Sequence, residues 1–170
     1  MRLLLLRHAI AAERADWRRE HRDDAPRPLT DEGRKRMRRE ARALADLIPD
    51  LALVASSPLA RCRETADILV AAYPRKVALV DQIDLAPEGS GAGLLRFLQA
   101  QRSLAAVACV GHEPNLSRFA GLLLTGRERS LVELKKGAGA LVDFPARIAA
   151  GTARLLWLLP PSTLRALGGG

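Results

Sequence analysis

The N-terminal segment Leu3–His8 constrains the fold of this chain more than any other stretch, because four consecutive leucines end abruptly in Arg7 and His8. An uninterrupted apolar run that ends in polar residues is typical of a strand buried on both faces of a parallel sheet. Ligands of such sheets collect in the crevice beyond the carboxyl ends of the strands. Arg7 and His8 are therefore candidate site residues, although a polar strand end is by itself an ordinary structural feature.

Two later segments repeat this arrangement. The apolar run Leu51–Ala55 is followed by two serines, a proline and then Arg61, and the run Leu104–Val110 is followed by a glycine and then His112. In both segments we interpret the proline, Pro58 or Pro114, as the residue that opens the next helix. Three parallel neighbouring strands would then bring two histidines and two arginines into one crevice.

This combination of side chains suits a phosphoryl group. Two imidazoles and two guanidinium groups supply the several donors that the oxygens of a tetrahedral phosphoryl group require. A metal site is disfavoured, because arginine repels a cation and no carboxylate keeps ligand spacing with His8 or His112. We therefore predict a cationic phosphoryl pocket that uses neither a metal nor a cofactor.

The length of 170 residues predicts one domain, which we place at residues 1–165, with a frayed tail at residues 166–170 that ends in three glycines. No apolar run approaches the length of a membrane span, so we expect no membrane association. The two cysteines, Cys62 and Cys109, form neither a disulfide framework nor a zinc motif. The leucines after Met1 are too few for a signal peptide, and we expect a cytoplasmic protein.

The formal net charge of +8 raises the question of a nucleic-acid partner. Most of the excess is arginine within residues 14–22 and 34–42, where acidic residues are interspersed, and this pattern is typical of a solvated, salt-bridged face. Aromatic residues make up only 4% of the chain, which leaves little surface for base stacking. These features disfavour nucleic acid as a partner, whereas an acidic or phosphorylated partner fits the charge.

The remaining elements follow from periodicity. Residues 9–28 form a long polar stretch of the kind that often serves as a binding loop, and we expect its His21 to be exposed. Thr30 is a suitable N-cap for a helix that ends at Pro49. The segments Ala138–Phe144 and Thr152–Leu158 predict a closing hairpin.

Four motifs, together with the closing pattern Leu134–Gly137, resemble the histidine phosphatase superfamily, and the short length is similar to its small SixA-type phosphohistidine phosphatases. Each motif is weak alone, but they occur in order from end to end of the chain, with Trp157 and Pro160 in the closing region. The four segments are Leu6–Ala9 ("RHG"), Arg27–Thr30 ("RPLT"), Ser57–Ala66 ("SPLxRCxxTA") and Val110–Pro114, which surrounds the second histidine.

The resemblance implies a three-layer α/β/α sandwich with a mostly parallel central sheet and a covalent mechanism. The histidine that matches His8 attacks phosphorus in that family and carries the phosphoryl group. The residues that match Arg7, Arg61 and His112 hold the phosphoryl oxygens, and Arg27 assists them. The residues themselves agree with this assignment, because the positive charge of neighbouring arginines should lower the pKa of His8 and keep it neutral and nucleophilic.

The chain departs from the family pattern at two points. Ala9 replaces the usual glycine, from which we expect only a mild effect. No residue clearly matches the glutamate that larger family members use as general acid. Glu88 and Glu113 are weak candidates for this proton donor, and three acids of the long loop could also reach the pocket, so we assign none. Those three acids are Asp16, Asp23 and Asp24.

Three functional hypotheses follow. The first is a phosphohistidine phosphatase that acts on a histidine-phosphorylated protein. The second is a phosphatase of the same superfamily for small phosphate monoesters or nucleotides. The third, from another class, is a non-catalytic module that binds phosphorylated or acidic partners, and the presence of both His8 and His112 argues against it.

Overall fold

The computed structural model describes residues 1–169, which form a six-stranded sheet with helices on both faces. In chain order the elements are β1 (Arg2–Arg7), α1 (Arg14–Glu20), α2 (Asp31–Leu47), β2 (Leu51–Ser56), α3 (Ala60–Ala71), β3 (Ala78–Asp81), a 3₁₀ turn (Ile83–Leu85), α4 (Gly91–Ala100), β4 (Ala106–Gly111), α5 (Asn115–Thr125), β5 (Gly139–Asp143), β6 (Arg154–Leu159) and α6 (Pro161–Leu167).

The strands lie in the order β3-β2-β4-β1-β5-β6. Strands β3, β2, β4 and β1 are parallel, whereas β5 pairs antiparallel with both β1 and β6. This arrangement confirms the predicted mostly parallel sheet and the closing hairpin. Because β2, β4 and β1 are adjacent and parallel, the polar residues that follow them lie along the same edge of the sheet.

Strand β1 is buried on both faces, as its four leucines predict. Leu4 and Leu6 pack in the apolar cluster beneath α2, α3 and α6, whereas Leu3 and Leu5 pack in the cluster beneath α4 and α5. Burial of four leucines stabilises the fold by about 6–12 kcal/mol in gross transfer free energy. The two clusters are the interfaces of an α/β/α sandwich, which confirms the predicted fold class.

Local signals set the start of α2, whereas the two helices predicted to open at a proline begin later; α5 begins at Asn115, with Pro114 as its N-cap. The Thr30 side chain accepts a hydrogen bond from the Gly33 N–H at 2.9 Å and caps α2, as predicted. Helix α3, in contrast, begins at Ala60 with Leu59 as its N-cap, two residues later than the predicted start at Pro58. The Ser57 hydroxyl lies 3.0 Å from the His112 ring instead of capping a helix at Pro58.

The long polar stretch after β1 contains a short helix, α1. An antiparallel bridge between Ala11 and Leu29 closes the base of this segment, and the Trp17 indole donates to the Asp23 carbonyl at 2.8 Å. His21 is exposed, as predicted, and its ring stacks on Trp17 with centroids 3.7 Å apart. The segment therefore has a defined path that carries its later residues back towards the sheet edge.

The C-terminal prediction needs correction. Helix α6 extends to Leu167, so the boundary that we placed after residue 165 falls inside it. Gly168 packs so closely on α2 that an added Cβ would lie 1.9 Å from the Arg39 carbonyl oxygen, and its own carbonyl accepts from Arg42 at 3.2 Å. Residues 166–168 thus belong to the folded domain, whereas Gly170 lies outside the described residues. None of the described helices is both long and apolar enough to cross a membrane.

Candidate active site

The site is built at the carboxyl edge of the sheet, where β1 and β4 end beside each other. Arg7 pairs in register with Gly111, so His8 and His112 follow neighbouring strands at the same level. Their ring centroids lie 5.2 Å apart. Both imidazoles face a pocket of about 270 Å³, which also contains the three arginines named from the sequence. Its lining residues are Arg7, His8, Glu13, Arg14, Asp24, Arg27, Arg61, Pro87, His112, Glu113 and Lys136.

The orientation of His8 is fixed by its own backbone neighbour. Its Nδ1 atom lies 2.7 Å from the carbonyl oxygen of Ala9. A carbonyl oxygen only accepts hydrogen bonds, so Nδ1 carries the ring proton and Nε2 keeps its lone pair. The backbone N–H of His8 donates to the Gly111 carbonyl at 3.1 Å, which anchors the residue to β4. His8 is thus held as the neutral tautomer that has a nucleophilic Nε2.

Burial is the main cause of the low pKa of His8. Its pKa is lowered to about 3, and burial is the largest cause; the Ala9 hydrogen bond opposes this effect, whereas repulsion from a protonated His112 and from the charges of Arg61 and Arg7 adds to it. The arginine charges lower the pKa of His8, as predicted, but their effect is smaller than that of burial. The consequence is the one predicted, since a pKa of about 3 leaves His8 neutral at pH 7.

His112 is equally buried, with 4% of its surface exposed. Its Nε2 atom lies 3.0 Å from the Ser57 hydroxyl and 3.3 Å from the Cys62 sulfur. Burial, followed by the charges of Arg61, Arg27 and Arg7, lowers its pKa to about 3. Both imidazoles are therefore uncharged at neutral pH, and the arginines supply the permanent positive charge of the pocket.

The arginines are held with unused donors. Within residues 1–169, two buried side-chain nitrogens find no hydrogen-bond partner, and they are the Nε atoms of Arg7 and Arg61. Arg7 donates from its Nη1 to the Leu134 carbonyl at 2.6 Å, and Arg61 is only 3% exposed. Unpaired buried donors are costly. Two such N–H groups beside two imidazoles fit an oxyanion, which would accept hydrogen bonds from both arginines.

Arg27 enters the pocket from the far end of the α1 segment. Its Nη1 donates to the Ala12 carbonyl at 2.7 Å and its Nε donates to the Asp24 carboxylate at 2.7 Å. Asp24 also contacts Arg61, at 3.2 Å from Nη2. The structure therefore places Arg27 in the pocket with the other residues named from the sequence, and it adds an acid between two of the arginines.

Two buried hydroxyl groups support the site, and the sequence analysis gave neither of them a role. Ser57 contacts His112, and Thr65 accepts the Ala9 N–H at 3.0 Å and donates to the Arg61 carbonyl at 2.6 Å. Both residues lie in the motif segment Ser57–Ala66, and this position was the one sign in the sequence that they belong to the site. Ala9 is accommodated without a left-handed backbone, because positive φ angles occur only at glycines in the described chain.

The turn after residue 134 forms another wall of the pocket. Gly137 has a φ of +83° and its N–H lies 3.2 Å from the carbonyl oxygens of both Arg7 and His8. Glycine is favoured there because side chains rarely adopt this positive φ, and an added Cβ would also lie 2.5 Å from a carboxylate oxygen of the buried Glu40. This turn places Lys136 at the pocket, a residue that the sequence analysis quoted only as part of the closing pattern.

The two proton-donor candidates differ in position. Glu113 lines the pocket, but its carboxylate accepts hydrogen bonds from the Ser117 hydroxyl and, at 3.3 Å, from the Leu134 N–H. Glu88 is exposed and lies outside the pocket lining. Among the loop acids, Asp16 and Asp23 are exposed, and only Asp24 reaches the pocket. In residues 1–169 no three acidic, histidine or cysteine side chains are grouped as metal ligands.

Comparison with known proteins agrees with this geometry. Residues 3–84 match the model of the histidine phosphatase superfamily, branch 1. The chain belongs to the histidine phosphatase superfamily. It is therefore a phosphatase, as members of this superfamily are, and this confirms the family and the enzyme class that the sequence motifs predicted. An uncharacterized protein of Picosynechococcus sp. (strain ATCC 27264 / PCC 7002 / PR-6) is 38% identical over 162 residues, which are 94% of this chain and 95% of that protein.

Solved structures share the fold at lower identity. The protein histidine phosphatase SixA, in complex with tungstate, is 23% identical with a TM-score of 0.82 over 96% of this chain and 99% of its own. The α-ribazole phosphatase of Shigella flexneri is 17% identical with a TM-score of 0.72 over 95% and 97% of the two chains. A mycobacterial glucosyl-3-phosphoglycerate phosphatase is 14% identical with a TM-score of 0.71 over 94% and 99%.

Proposed function

We propose that this phosphatase is a phosphohistidine phosphatase, which removes phosphoryl groups from a histidine of a partner protein through a phosphohistidine intermediate on His8. The observation that carries the proposal is the contact between Nδ1 of His8 and the Ala9 carbonyl, at 2.7 Å. It leaves Nε2 as a neutral nucleophile in a pocket whose charge comes from arginines.

In the first step, the Nε2 lone pair of His8 forms a bond to phosphorus, and the bond between phosphorus and the substrate nitrogen breaks. The electron pair of that bond goes to the substrate ring, which leaves as neutral imidazole because its other nitrogen has bound a proton from solvent. Arg7, Arg61 and Arg27 stabilise the charge on the phosphoryl oxygens during the transfer.

In the second step, a water molecule attacks phosphorus and the bond between phosphorus and Nε2 of His8 breaks. Nδ1 of His8 stays protonated throughout, because its N–H is hydrogen-bonded to the Ala9 carbonyl. The phosphorylated ring is therefore cationic, and it leaves phosphorus as the neutral histidine that began the cycle. The proton lost by the attacking water remains with phosphate or solvent. The enzyme is then regenerated without a change of tautomer.

The preference for phosphohistidine rests on the state of the acids near the pocket. An alkyl phosphate expels an alkoxide, which needs a placed general acid, and such acids contribute about 10²–10⁴-fold. The free ring nitrogen of phosphohistidine can bind a proton from solvent near pH 6.5, so this leaving group needs no such acid. The Glu113 carboxylate is engaged in hydrogen bonds, Glu88 is exposed, and the arginines hold Asp24 ionised. Glu13, the remaining acid of the pocket lining, is exposed and lies 3.8 Å from the Lys136 ammonium.

The structural neighbours support this function and also a second one. The protein histidine phosphatase SixA shares the fold in complex with tungstate, a tetrahedral oxyanion that resembles phosphate. The α-ribazole and glucosyl-3-phosphoglycerate phosphatases share the fold at similar TM-scores. Hydrolysis of small phosphate monoesters is therefore the second candidate function.

The decisive experiment compares substrates and traps the intermediate. A histidine-phosphorylated protein should be hydrolysed at least 100-fold faster, by kcat/KM, than an alkyl phosphate, which is the lower end of about 10²–10⁴-fold for a missing general acid. Quenching during turnover should trap a label that is stable to alkali and lost in acid. The label should be absent from His8→Ala and present in His21→Ala, which removes an exposed histidine as a matched control.

Two results would overturn the proposal. Equal rates on both substrates would favour the second candidate function. A label that survives in His8→Ala would place the nucleophile on another residue, and the covalent mechanism on His8 would then be wrong.

A further inference from the structure

Asp24 is the acid that lies nearest to the arginines of the pocket. One carboxylate oxygen accepts from Nε of Arg27 at 2.7 Å, and the other lies 3.2 Å from Nη2 of Arg61. The backbone carbonyl of Asp24 accepts from Nη1 of Arg61 at 3.1 Å. Both guanidinium groups are almost fully buried, with side-chain exposures of 7% and 4%. The carboxylate is therefore fixed among groups that would bind a phosphoryl oxygen.

The Asp24 carboxylate is negatively charged at neutral pH. Burial raises its pKa, but the hydrogen bond from Arg27 and the charges of Arg61, Arg27 and Arg14 outweigh this effect and hold the pKa below its usual range. An ionised acid cannot donate a proton to a leaving group. The chemical effect of Asp24 on a bound substrate is then electrostatic and is repulsive towards the phosphoryl oxygens.

This repulsion discriminates between substrates by their charge. Alkyl phosphates lose their second proton near pH 6, as phosphorylated side chains do, and are largely dianionic at pH 7.5. Inorganic phosphate loses its second proton at a somewhat higher pH, and the dianion is its main form at pH 7.5. Phosphohistidine has a ring nitrogen that is not bonded to phosphorus, and imidazole nitrogens bind a proton near pH 6.5. The protonated form, from which neutral imidazole can leave, is one charge less negative than the unprotonated form, and its N–H can donate a hydrogen bond to a carboxylate.

We infer that Asp24 is a specificity-determining residue, whose fixed carboxylate disfavours dianionic phosphates and thereby increases the preference for phosphohistidine. The claim that phosphohistidine is the favoured substrate rests on the proposed function. The claim that Asp24 disfavours dianionic phosphates does not depend on it. Arg61 and Arg27 are linked through Asp24 and still present other donors, among them the unpaired Nε of Arg61. A phosphoryl group therefore binds beside the carboxylate and experiences its charge.

The test uses Asp24→Asn and Asp24→Ser, which remove the charge with side chains of different shape. Asp23→Asn is the matched control, because Asp23 carries the same charge one residue away but is exposed and lies outside the pocket lining. The probes are inorganic phosphate as an inhibitor, glycerol phosphate as an alkyl ester and a histidine-phosphorylated protein, all at pH 7.5.

Both Asp24 variants should lower the inhibition constant for phosphate and raise kcat/KM for glycerol phosphate by about tenfold, the size expected for one nearby charge. The ratio of kcat/KM for the phosphohistidine protein to that for glycerol phosphate should fall at least tenfold. Asp23→Asn should change none of these quantities by more than twofold.

The outcomes separate this inference from the proposed function. Weaker phosphate binding in both Asp24 variants would show that Asp24 only positions the arginines, and unchanged binding would show that its charge is irrelevant; either result overturns the inference. A wild-type protein that prefers glycerol phosphate would contradict the proposed function instead. In that case the phosphate inhibition constants still decide whether Asp24 disfavours dianions.

Discussion

The Thr65 hydroxyl accepts a hydrogen bond from the Ala9 N–H at 3.0 Å, which links α3 to the backbone immediately after His8. The same hydroxyl donates to the Arg61 carbonyl at 2.6 Å and is fully buried. Since the carbonyl of Ala9 orients the His8 ring, Thr65 links His8, the proposed nucleophile, to Arg61, a proposed phosphate-binding residue. Thr65 is buried and lies outside the pocket lining, so we expect it to position these residues without touching the substrate.

Replacing Thr65 by valine keeps its shape and removes this link. The Ala9 N–H would be left buried and unpaired, at a cost of about 1–3 kcal/mol in folding free energy. We expect kcat to fall at least tenfold while KM changes little, because His8 loses its orientation whereas the arginine side chains remain. Thr65→Ser, which keeps the hydroxyl, should restore most of kcat. Equal activity of the valine and serine variants would contradict this role.

Arg61 provides a second test through the geometry of its side chain. Arg61→Lys keeps a positive charge but loses the planar fork that can bind two phosphoryl oxygens. We expect kcat/KM to fall by about 10²-fold, the lower end of the range for one transition-state donor. Arg63→Lys is the matched control, because Arg63 lies two residues further along α3 and pairs with Asp81 at the surface. A similar loss in both variants would indicate damage to the helix instead.

The convergence of the site residues was predictable because it depends on simple topology. Three apolar runs end in polar residues, and adjacent parallel strands bring such ends to one edge. The contacts of Asp24 were not predictable in the same way. They depend on the path of the segment that contains α1, which returns its end to the sheet edge, and on arginines that are 3 and 37 residues away along the chain.

Two other features of the structure could not be predicted from residue types alone. The terminal glycines predict fraying, yet Gly168 packs on α2 because it lacks a Cβ that would collide with the Arg39 carbonyl. The arginines around His8 suggest that charge lowers its pKa, yet burial is the larger cause. Burial of both imidazoles is a property of the closed pocket, and the spacing of residues in the sequence does not reveal it.

The low pKa values of the two histidines predict a loss of stability in mild acid. His8 and His112 have a pKa of about 3 in the folded protein, against about 6.5 in the unfolded chain. Below pH 6.5 the unfolded chain binds protons on these imidazoles and the folded protein does not. The free energy of unfolding should therefore fall with decreasing pH, by up to about 1.4 kcal/mol per pH unit for each histidine.

Urea denaturation between pH 4.5 and 7.5 measures this slope. Comparison with His8→Asn isolates one histidine, and the difference between the two curves removes the contribution of other groups. Among these is the buried Glu40, whose pKa is raised to about 7 by burial and whose contribution has the opposite sign. The variant should lose stability less steeply than the wild type as pH falls. Parallel curves would show that His8 is not buried in its neutral form.

The last prediction concerns the missing general acid. Glu113 lines the pocket, but its carboxylate is engaged by Ser117 and Leu134, and Glu88 is exposed outside the lining. Glu113→Gln and Glu88→Gln should therefore each change kcat/KM for both phosphohistidine and alkyl phosphate by less than about threefold, far below the roughly 10²–10⁴-fold contribution of a true general acid. Steady-state rates of both variants on both substrates at one pH provide the measurement.

If Glu113→Gln instead abolished hydrolysis of the alkyl ester and spared phosphohistidine, Glu113 would be the proton donor. The carboxylate would then have to leave Ser117 during turnover, and hydrolysis of small phosphate monoesters would become the better description of the activity.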